Sequence, residues 1–323
     1  MDRHSELAAF KRLDLVQYCQ SRSFVIDQRA SSRSAIVLRS PSDEKIGVSK
    51  STEGTFIFYD YKGGRGGSII DFCQWLDGGT LGEVRKTLRA YDPTSFSVPS
   101  ALPFKLVSST HDETKVLAAW MQARSIGASG HPYLTQYRRI ALEVQTAPLF
   151  RDRIRIDSRS NALFPHFSTK GTLCGFEIKN GGASKKSFTG FSPNGLKGLA
   201  CSRPRETDCE MVVCETAIDM LSLASIEGIE KRRFFSTGGQ VSEMQLEALQ
   251  SAASRMPTNS TRILLALDND KAGHELARRI ADALSNSKLK VVPYFPPDPG
   301  ADWNDMLQRT IRESNRTPEP IKS

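Results

Sequence analysis

No stretch of the sequence approaches the roughly 18 consecutive apolar residues that a membrane-spanning helix requires. The first residues, MDRHSELAAFKRLD, contain no apolar core of a secretory leader. A cytoplasmic protein with no membrane partner is the expectation. Cysteine is sparse and scattered: Cys19, Cys73, Cys174, Cys201, Cys209 and Cys214 form no CxxC pair. That spacing excludes a zinc ribbon and a dense disulfide framework. Cys201 and Cys209 flank a basic turn and could share a metal with His166, but the spacing is not that of a zinc site. Free thiols in a reducing compartment are expected. A GxxxxGKS/T loop is also absent, which excludes a P-loop motor in this sequence.

What is present is an ordinary globular composition: 323 residues, 39% hydrophobic and 25% charged. The length is great for one hydrophobic core and suggests two or three domains. The formal charge of +8 is uneven, because residues 211–323 hold 14 Lys and Arg against 15 Asp and Glu. The basic surplus therefore lies before them. It is densest from Arg151 to Arg205, where 11 basic residues face only Asp152, Asp157 and Glu177. So local an excess suits a polyanion-binding surface, and equally a solvated basic face.

Residues 1–95 read as a small α+β unit. SAIVLRS, KIGVSKS and GTFIFYDY are three strand-like runs, and after KGGRGGS the spacing in IIDFCQWLDGGTLGEVRKTLRAY suits two short helices. The three prolines of DPTSFSVPSALPF mark a linker. Residues 110–210 open with a helical run, DETKVLAAWMQARSI, followed by HPYLTQYRRI, the strand-like ALFPHFST and GTLCGFEIKN, and then turns and short strands in GGASKKSFTGFSPNGLKG. From 211 to 312 the pattern becomes regular. MVVCE, RRFFSTGG, RILLALDND and KVVPYF read as strands, and AIDMLSLASI, SEMQLEALQSAASRM and AGHELARRIADALSN read as the helices between them. Such alternation implies a parallel sheet covered on both faces, with functional groups at the carboxyl ends of its strands. Residues 313–323 are expected to be a flexible tail.

Three acidic residues fall at those ends. Glu215 closes VVCE, and Asp268 and Asp270 close LLALDND. Alternation along an extended chain would point residues 268 and 270 to one side, where their oxygens could grip one hard cation. Gathered carboxylates repel, and a divalent metal relieves that repulsion. The competing use of such residues is to cap the helices that follow, but one cap per helix would be enough.

VVCETAIDMLSL, STGG, LLALDNDKAG and GADWNDML, in that order, resemble the Toprim domain of bacterial DnaG-type primases, topoisomerases and some nucleases. The likeness is strongest to primase-type Toprim proteins of plasmids, phages and other mobile elements. Upstream, HPYLTQYRRI and LFPHFSTKGTLCGFEIKN are similar to the start of the primase catalytic core, and GGRGGSIIDFCQWLDGGTLGEVRKTL to the end of the primase zinc-binding domain. The zinc ligands of that domain are absent, so no zinc is expected. The Gly that commonly follows the Toprim glutamate is replaced by Thr216.

The resemblance implies an α/β fold: a C-terminal Toprim domain with a Rossmann-like parallel sheet, preceded by a basic α+β primase-core subdomain and a degenerate zinc-less N-terminal domain. It implies that Asp268 and Asp270 bind Mg2+ (or Mn2+) and that Glu215 binds metal or moves a proton. Asp302 would complete the metal environment, with Asp305 beside it. Asp219, one helical turn past Glu215, could reach a second metal or cap its helix, and Lys271 could meet a phosphate or serve as a surface lysine. Template phosphates call for Lys and Arg and unpaired bases for aromatic rings. Arg138, Arg139, Lys185, Lys186 and Lys197 are the candidates, interleaved with Tyr133, Tyr137, Phe188 and Phe191. The implied activity is synthesis of short primers on single-stranded DNA from nucleoside triphosphates, by a metal-assisted DNA-directed nucleotidyltransferase. A replicative helicase would be a separate partner. The alternatives are a Toprim nuclease and a non-catalytic nucleic-acid-binding adaptor; the chain is short for a topoisomerase and has no strand-cleaving tyrosine module.

Overall fold

The computed structural model describes residues 3–28, 30–32, 35–51, 54–61, 65–93, 111–182 and 185–314. Most of the proline-rich linker, nearly all of the C-terminal tail, and the side chains of Lys185 and Lys186 lie outside the described residues. The chain divides into two compact units, Met1–Thr110 and His111–Ser323.

The first unit comprises α1 (Arg3–Phe10), α2 (Leu15–Ser21), β1 (Val25–Ile26), β2 (Ala35–Arg39), β3 (Lys45–Lys50), β4 (Phe56–Asp60), β5 (Gly66–Gly67), α3 (Ile69–Asp77) and α4 (Leu81–Ala90). The five strands pair in sequence order as an antiparallel sheet. Helix starts are set locally. Asp14 accepts from the backbone of Val16 and Gln17, and Thr80 and Glu83 cap α4 reciprocally. The core joins Leu38, Ile46 and Val48 of the sheet to an aromatic group of Tyr18, Phe24, Phe58, Phe72 and Trp75. Cys19 and Cys73 belong to this core as free thiols, and Cys73 donates to the Tyr18 hydroxyl at 3.2 Å.

The second unit begins with α5 (Glu113–Gln122), β6 (Arg124–Ser125), a π-helical turn at Tyr133–Tyr137, α6 (Leu142–Thr146) and β7 (Arg155–Ile156). It continues through β8 (Ala162–Phe167), β9 (Leu173–Gly182), β10 (Lys185–Phe191), β11 (Leu199–Cys201) and β12 (Glu210–Cys214). Then follow α7 (Ala217–Glu227), β13 (Arg232–Ser236), α8 (Glu243–Ser254), β14 (Arg262–Ala266), α9 (Lys271–Ala283), β15 (Lys290–Pro293) and α10 (Trp303–Ser314). Among the described residues one sheet orders its strands β10-β9-β8-β11-β13-β12-β14-β15. The last four are parallel, and the β10-to-β13 part is antiparallel. The sheet runs unbroken across residue 210, because the three-residue β11 bridges β8 to β13.

Strand alternation splits the core in two. Val212, Cys214, Phe234, Leu264 and Ala266 face α7 and α10, while Met211, Val213, Phe235, Ile263 and Leu265 face α8 and α9. Central strands buried on both faces are apolar throughout. No helix of the described residues is long and apolar enough to cross a membrane.

Candidate functional site

The site is built where the parallel strands end. Glu215 follows β12 directly, and its backbone carbonyl accepts from Gly239 N at 2.9 Å and from the Ser236 and Thr237 hydroxyls at 3.3 Å. The STGG segment thus clamps the residue that carries the carboxylate. Thr216 has an extended backbone, φ −122°, and its side chain accepts from Asp219 N as the N-cap of α7. A glycine is not required there. The Thr216 hydroxyl also donates to Asp219 Oδ2 at 2.6 Å, which fixes a carboxylate that is only 3% exposed.

Strand β14 ends at Ala266, so Asp268 and Asp270 lie in the turn beyond it, and the expected strand alternation does not position them. Asp270 instead caps α9, accepting from Gly273 N at 2.7 Å. Asp268 is half-buried, and its Oδ1 is buried with no hydrogen-bond partner. A Cβ at residue 273 would come within 2.1 Å of the Asp268 carbonyl oxygen, so only Gly273 lets α9 start this close. Asp302 caps the start of α10, where its Oδ1 accepts from Asp305 N at 2.6 Å, and Asp305 stays exposed. Lys271, the first residue of α9, is exposed.

These carboxylates feel one another. Burial, then the charges of Asp219, Glu215, Asp302 and Asp270, push Asp268 up to about 9. Burial with Asp219 and Asp270 pushes Glu215 up to about 7, and burial with Asp302 pushes Asp219 up to about 6. Asp302 is raised by burial and by Asp305. Five acidic groups near the carboxyl ends of the strands thus oppose one another's ionisation.

Facing them is a buried basic and acidic network on β8 and β9 that sequence reasoning passed over. His166 is wholly buried, with Nδ1 on the Gly198 carbonyl at 2.7 Å and Nε2 on Glu177 Oε1 at 3.0 Å. Both ring nitrogens are taken, so the thiols of Cys201 and Cys209 have no shared metal with His166. Lys179 pairs with Glu177 Oε2 at 3.2 Å. Burial would raise Glu177, but the His166 hydrogen bond and the Lys179 charge bring it down to about 2. Lys197 is lowered by burial and senses Glu177, Lys179 and Glu215. It forms no ion pair or hydrogen bond among the described residues, so its ammonium stays available beside Glu215. Gly238, at φ +67°, carries the STGG turn over this network; a Cβ there would meet His166 Cε1 at 2.9 Å. The sequence signal was faint, since GFEIKN reads as an alternating strand with its charges outward.

The other basic candidates separate. Arg138 is spent internally, donating to the Tyr133 hydroxyl at 2.8 Å and to Asn304 Oδ1 at 3.2 Å. Asn304, 1% exposed, also donates to the Arg138 carbonyl and to Ser222, which ties α10 to the π-helical turn and to α7. Arg139 is exposed at φ +57°. Tyr133 is core, whereas Tyr137 and Phe188 are 40% and 49% exposed. Phe191 packs edge-on against His166. Lys185 and Lys186 lie on β10, at the edge of the sheet.

Among the described residues no three His, Cys, Asp or Glu side chains are grouped to hold a metal ion as they stand. The donor set nevertheless has the chemistry of a hard divalent cation. It offers oxygen alone, one oxygen of Asp268 is buried without a partner, and the charges repel for want of a counterion.

An acidic cluster at the carboxyl ends of a parallel sheet, flanked by helices on both faces, defines an α/β protein with its site at the strand ends. Residues 212–307 match the family described as Toprim-like, and the chain carries a Toprim-like domain there. Residues 132–208 match a family described as a protein of unknown function, DUF3991. The 65 kDa protein of Zymomonas mobilis subsp. mobilis is 26% identical over 195 residues, covering 53% of this chain. The match spans 31% of that relative's own length. Among solved structures, the Aquifex aeolicus primase (zinc-binding and RNA polymerase domains) is similar with a TM-score of 0.36 and 15% identity, covering 96% of this chain and 84% of that one. The primase fragment of the bacteriophage T7 primase-helicase has a TM-score of 0.37 and 14% identity, covering 84% and 94%. A DNA primase domain from Pseudomonas aeruginosa has a TM-score of 0.32 and 23% identity, covering 50% and 51%.

Proposed function

We propose that this chain is a metal-dependent nucleotidyltransferase that makes short primers on single-stranded DNA from nucleoside triphosphates. The observation that carries the reading is the gathering of Glu215, Asp219, Asp268 and Asp302 at the strand ends of a Toprim-like domain, with the free Lys197 ammonium beside them. Glu215, Asp268, Asp270 and Asp302 would hold Mg2+ or Mn2+, with Asp270 giving up part of its cap to do so. Bound metal would lower the charge barrier at the attacking and leaving oxygens of phosphoryl transfer. Lys197 would hold a phosphate of the incoming nucleotide, and the His166–Glu177–Lys179 network beneath it would keep that lysine in place. Glu215 either joins the metal set or accepts the proton of the attacking hydroxyl.

Template strands would follow the exposed basic and aromatic side chains: Arg139, Tyr137, Phe188 and the lysines at 185 and 186, with Lys271 nearer the carboxylates. Arg138, held by Tyr133 and Asn304, acts in this reading as a positioning residue for the turn that carries Arg139. In terms of organisation, we propose 1–95 as the degenerate N-terminal domain, 110–210 as the basic core segment and 211–312 as the Toprim segment. The last two share one sheet.

A second reading, a non-catalytic nucleic-acid-binding adaptor, is favoured by one observation. Among the described residues no three His, Cys, Asp or Glu side chains are grouped closely enough to hold a metal ion as they stand. Fold alone does not choose between the two. One assay does: labelled nucleotides and single-stranded DNA with Mg2+ or Mn2+, run beside end-labelled DNA alone. Short new oligonucleotides support the primase reading, shortened DNA makes the protein a nuclease, and retarded but unchanged DNA makes it an adaptor.

A further inference from the structure

A cavity of about 760 Å³ opens beside β11, β13 and the carboxyl end of α8. Arg233 is the second residue of β13, so this is the end of the strand opposite to the one that leads into STGG and Glu215. None of the carboxylates at the strand ends lines it. Arg153, Arg233 and Arg255 do, and among the described residues none of the three forms an ion pair. Their neighbour Arg205 shows what a satisfied arginine looks like here, with Nε on Asp208 Oδ1 at 2.9 Å. The guanidinium of Arg153 lies over the Phe167 ring, 4.4 Å from its centroid, and that of Arg233 over Phe235, at 5.3 Å. Arg153 Nε and Arg233 Nη1 are buried without partners, and Arg233 Nη2 makes only a long contact, 3.8 Å to Cys201 Sγ.

We propose that this cavity is a second ligand site, separate from the carboxylate cluster, which takes a small phosphorylated molecule with an aromatic body, of nucleotide size. Guanidinium groups taken from water without an anion are costly, as at Arg153 and Arg233, and the exposed Arg255 adds a third like charge to the cavity. Burial lowers both Arg153 and Arg233, with the charges of Arg203 and Arg233 adding to it at Arg153 and that of Arg255 at Arg233. A phosphate dianion satisfies several guanidinium donors at once, and rings stacked beneath the guanidiniums hold the donor forks in place before it arrives. Two carboxylates also line the cavity, the exposed Glu206 and the buried Asp208, the latter already neutralised by Arg205; the rest of the wall is mostly apolar, and the volume lies within the roughly 300–1,000 Å³ of small-molecule sites. Phosphate at the arginines and a base against the partly exposed Met256 and Pro257 fit that division of the walls.

The test uses the full chain in EDTA, so that metal-bound nucleotide at the carboxylate cluster does not contribute and a failed primase reading leaves the result unaffected. AMP and inorganic phosphate are titrated by calorimetry, and alkylation of Cys201, a native reporter on the cavity wall, is followed by mass spectrometry. Saturable AMP binding is expected, tighter than phosphate, with Cys201 protected. Arg153→Gln and Arg233→Gln should each weaken AMP by about tenfold or more, the worth of a charged hydrogen bond. Should either variant fail to fold, Arg255→Gln, on an exposed side chain, should still weaken AMP several-fold. Absence of saturable binding up to about 10 mM, unchanged affinity in the folded arginine variants, or phosphate binding as tightly as AMP would overturn the proposal.

Discussion

Asp268 Oδ1 is a carboxylate oxygen buried against other carboxylates with nothing to donate to it, and burial and repulsion together push the group up to about 9. Residues kept in so costly a state mark sites where stability has yielded to function. Asp268→Asn replaces a group that folding forces to take up a proton with a neutral amide that can donate to its acidic neighbours. In EDTA the variant should be more stable than the parent by about 1–2 kcal/mol, read as a higher urea midpoint with unchanged slope. Equal or lower stability would mean that the carboxylates are not in conflict. Gly273 makes the opposite prediction. A Cβ placed 2.1 Å from the Asp268 carbonyl oxygen must push α9 or the turn aside, so Gly273→Ala should cost about 1–3 kcal/mol. Thermal melts check it, and a variant as stable as the parent would show that the turn has slack.

At the scale of elements, β8 and β9 bring a buried charge network to the parallel sheet, and acid should find it. Glu177 falls from the usual 4.5 to about 2 in the folded chain, so as pH drops the unfolded state takes the proton first. The stability contributed by the pairing with His166 and Lys179 is therefore complete above about pH 4.5 and drains away as pH falls toward 2. Glu177→Gln should flatten that acid limb of the stability curve while lowering stability at neutral pH, where Lys179 loses its partner. Parallel limbs in the two proteins would remove Glu177 from the account. The same elements explain what could be read in advance. MVVCE and RILLALDND are legible because strands buried on both faces are apolar throughout, and the helices between them carry clear caps such as Thr216, Ser242 and Asp270. LAC at 199–201 is three residues long and has no period, so β11, which joins the two halves of the sheet, stays invisible until its neighbours are known. Strand alternation also misplaced Asp268 and Asp270, because β14 stops two residues short of the first of them. The charges of Glu177 and Lys179 look like a solvated strand face in sequence, and only the tertiary pairing with His166 makes them core.

Two compact units make up the whole molecule, and they hold different chemistry. The first holds its sheet with an aromatic core and with Cys19 and Cys73 as buried free thiols, one of them donating to Tyr18. We predict that residues 1–95 fold without zinc. Metal analysis of the full chain should find less than one zinc per molecule, and stoichiometric zinc whose removal unfolds the first unit would contradict it. The second unit holds the carboxylates with the Lys197 ammonium beside them at one place on its sheet and the arginine cavity at another. Its Toprim-like segment carries the carboxylates on which the proposed activity rests. The most direct measurement is template-directed synthesis with Mn2+ by the wild type, Asp268→Asn and Glu215→Gln, each first shown to be folded by its melting transition. The account predicts short oligonucleotides from the wild type and a loss of about a hundredfold or more in both variants. Synthesis by the variants at the wild-type rate would contradict it.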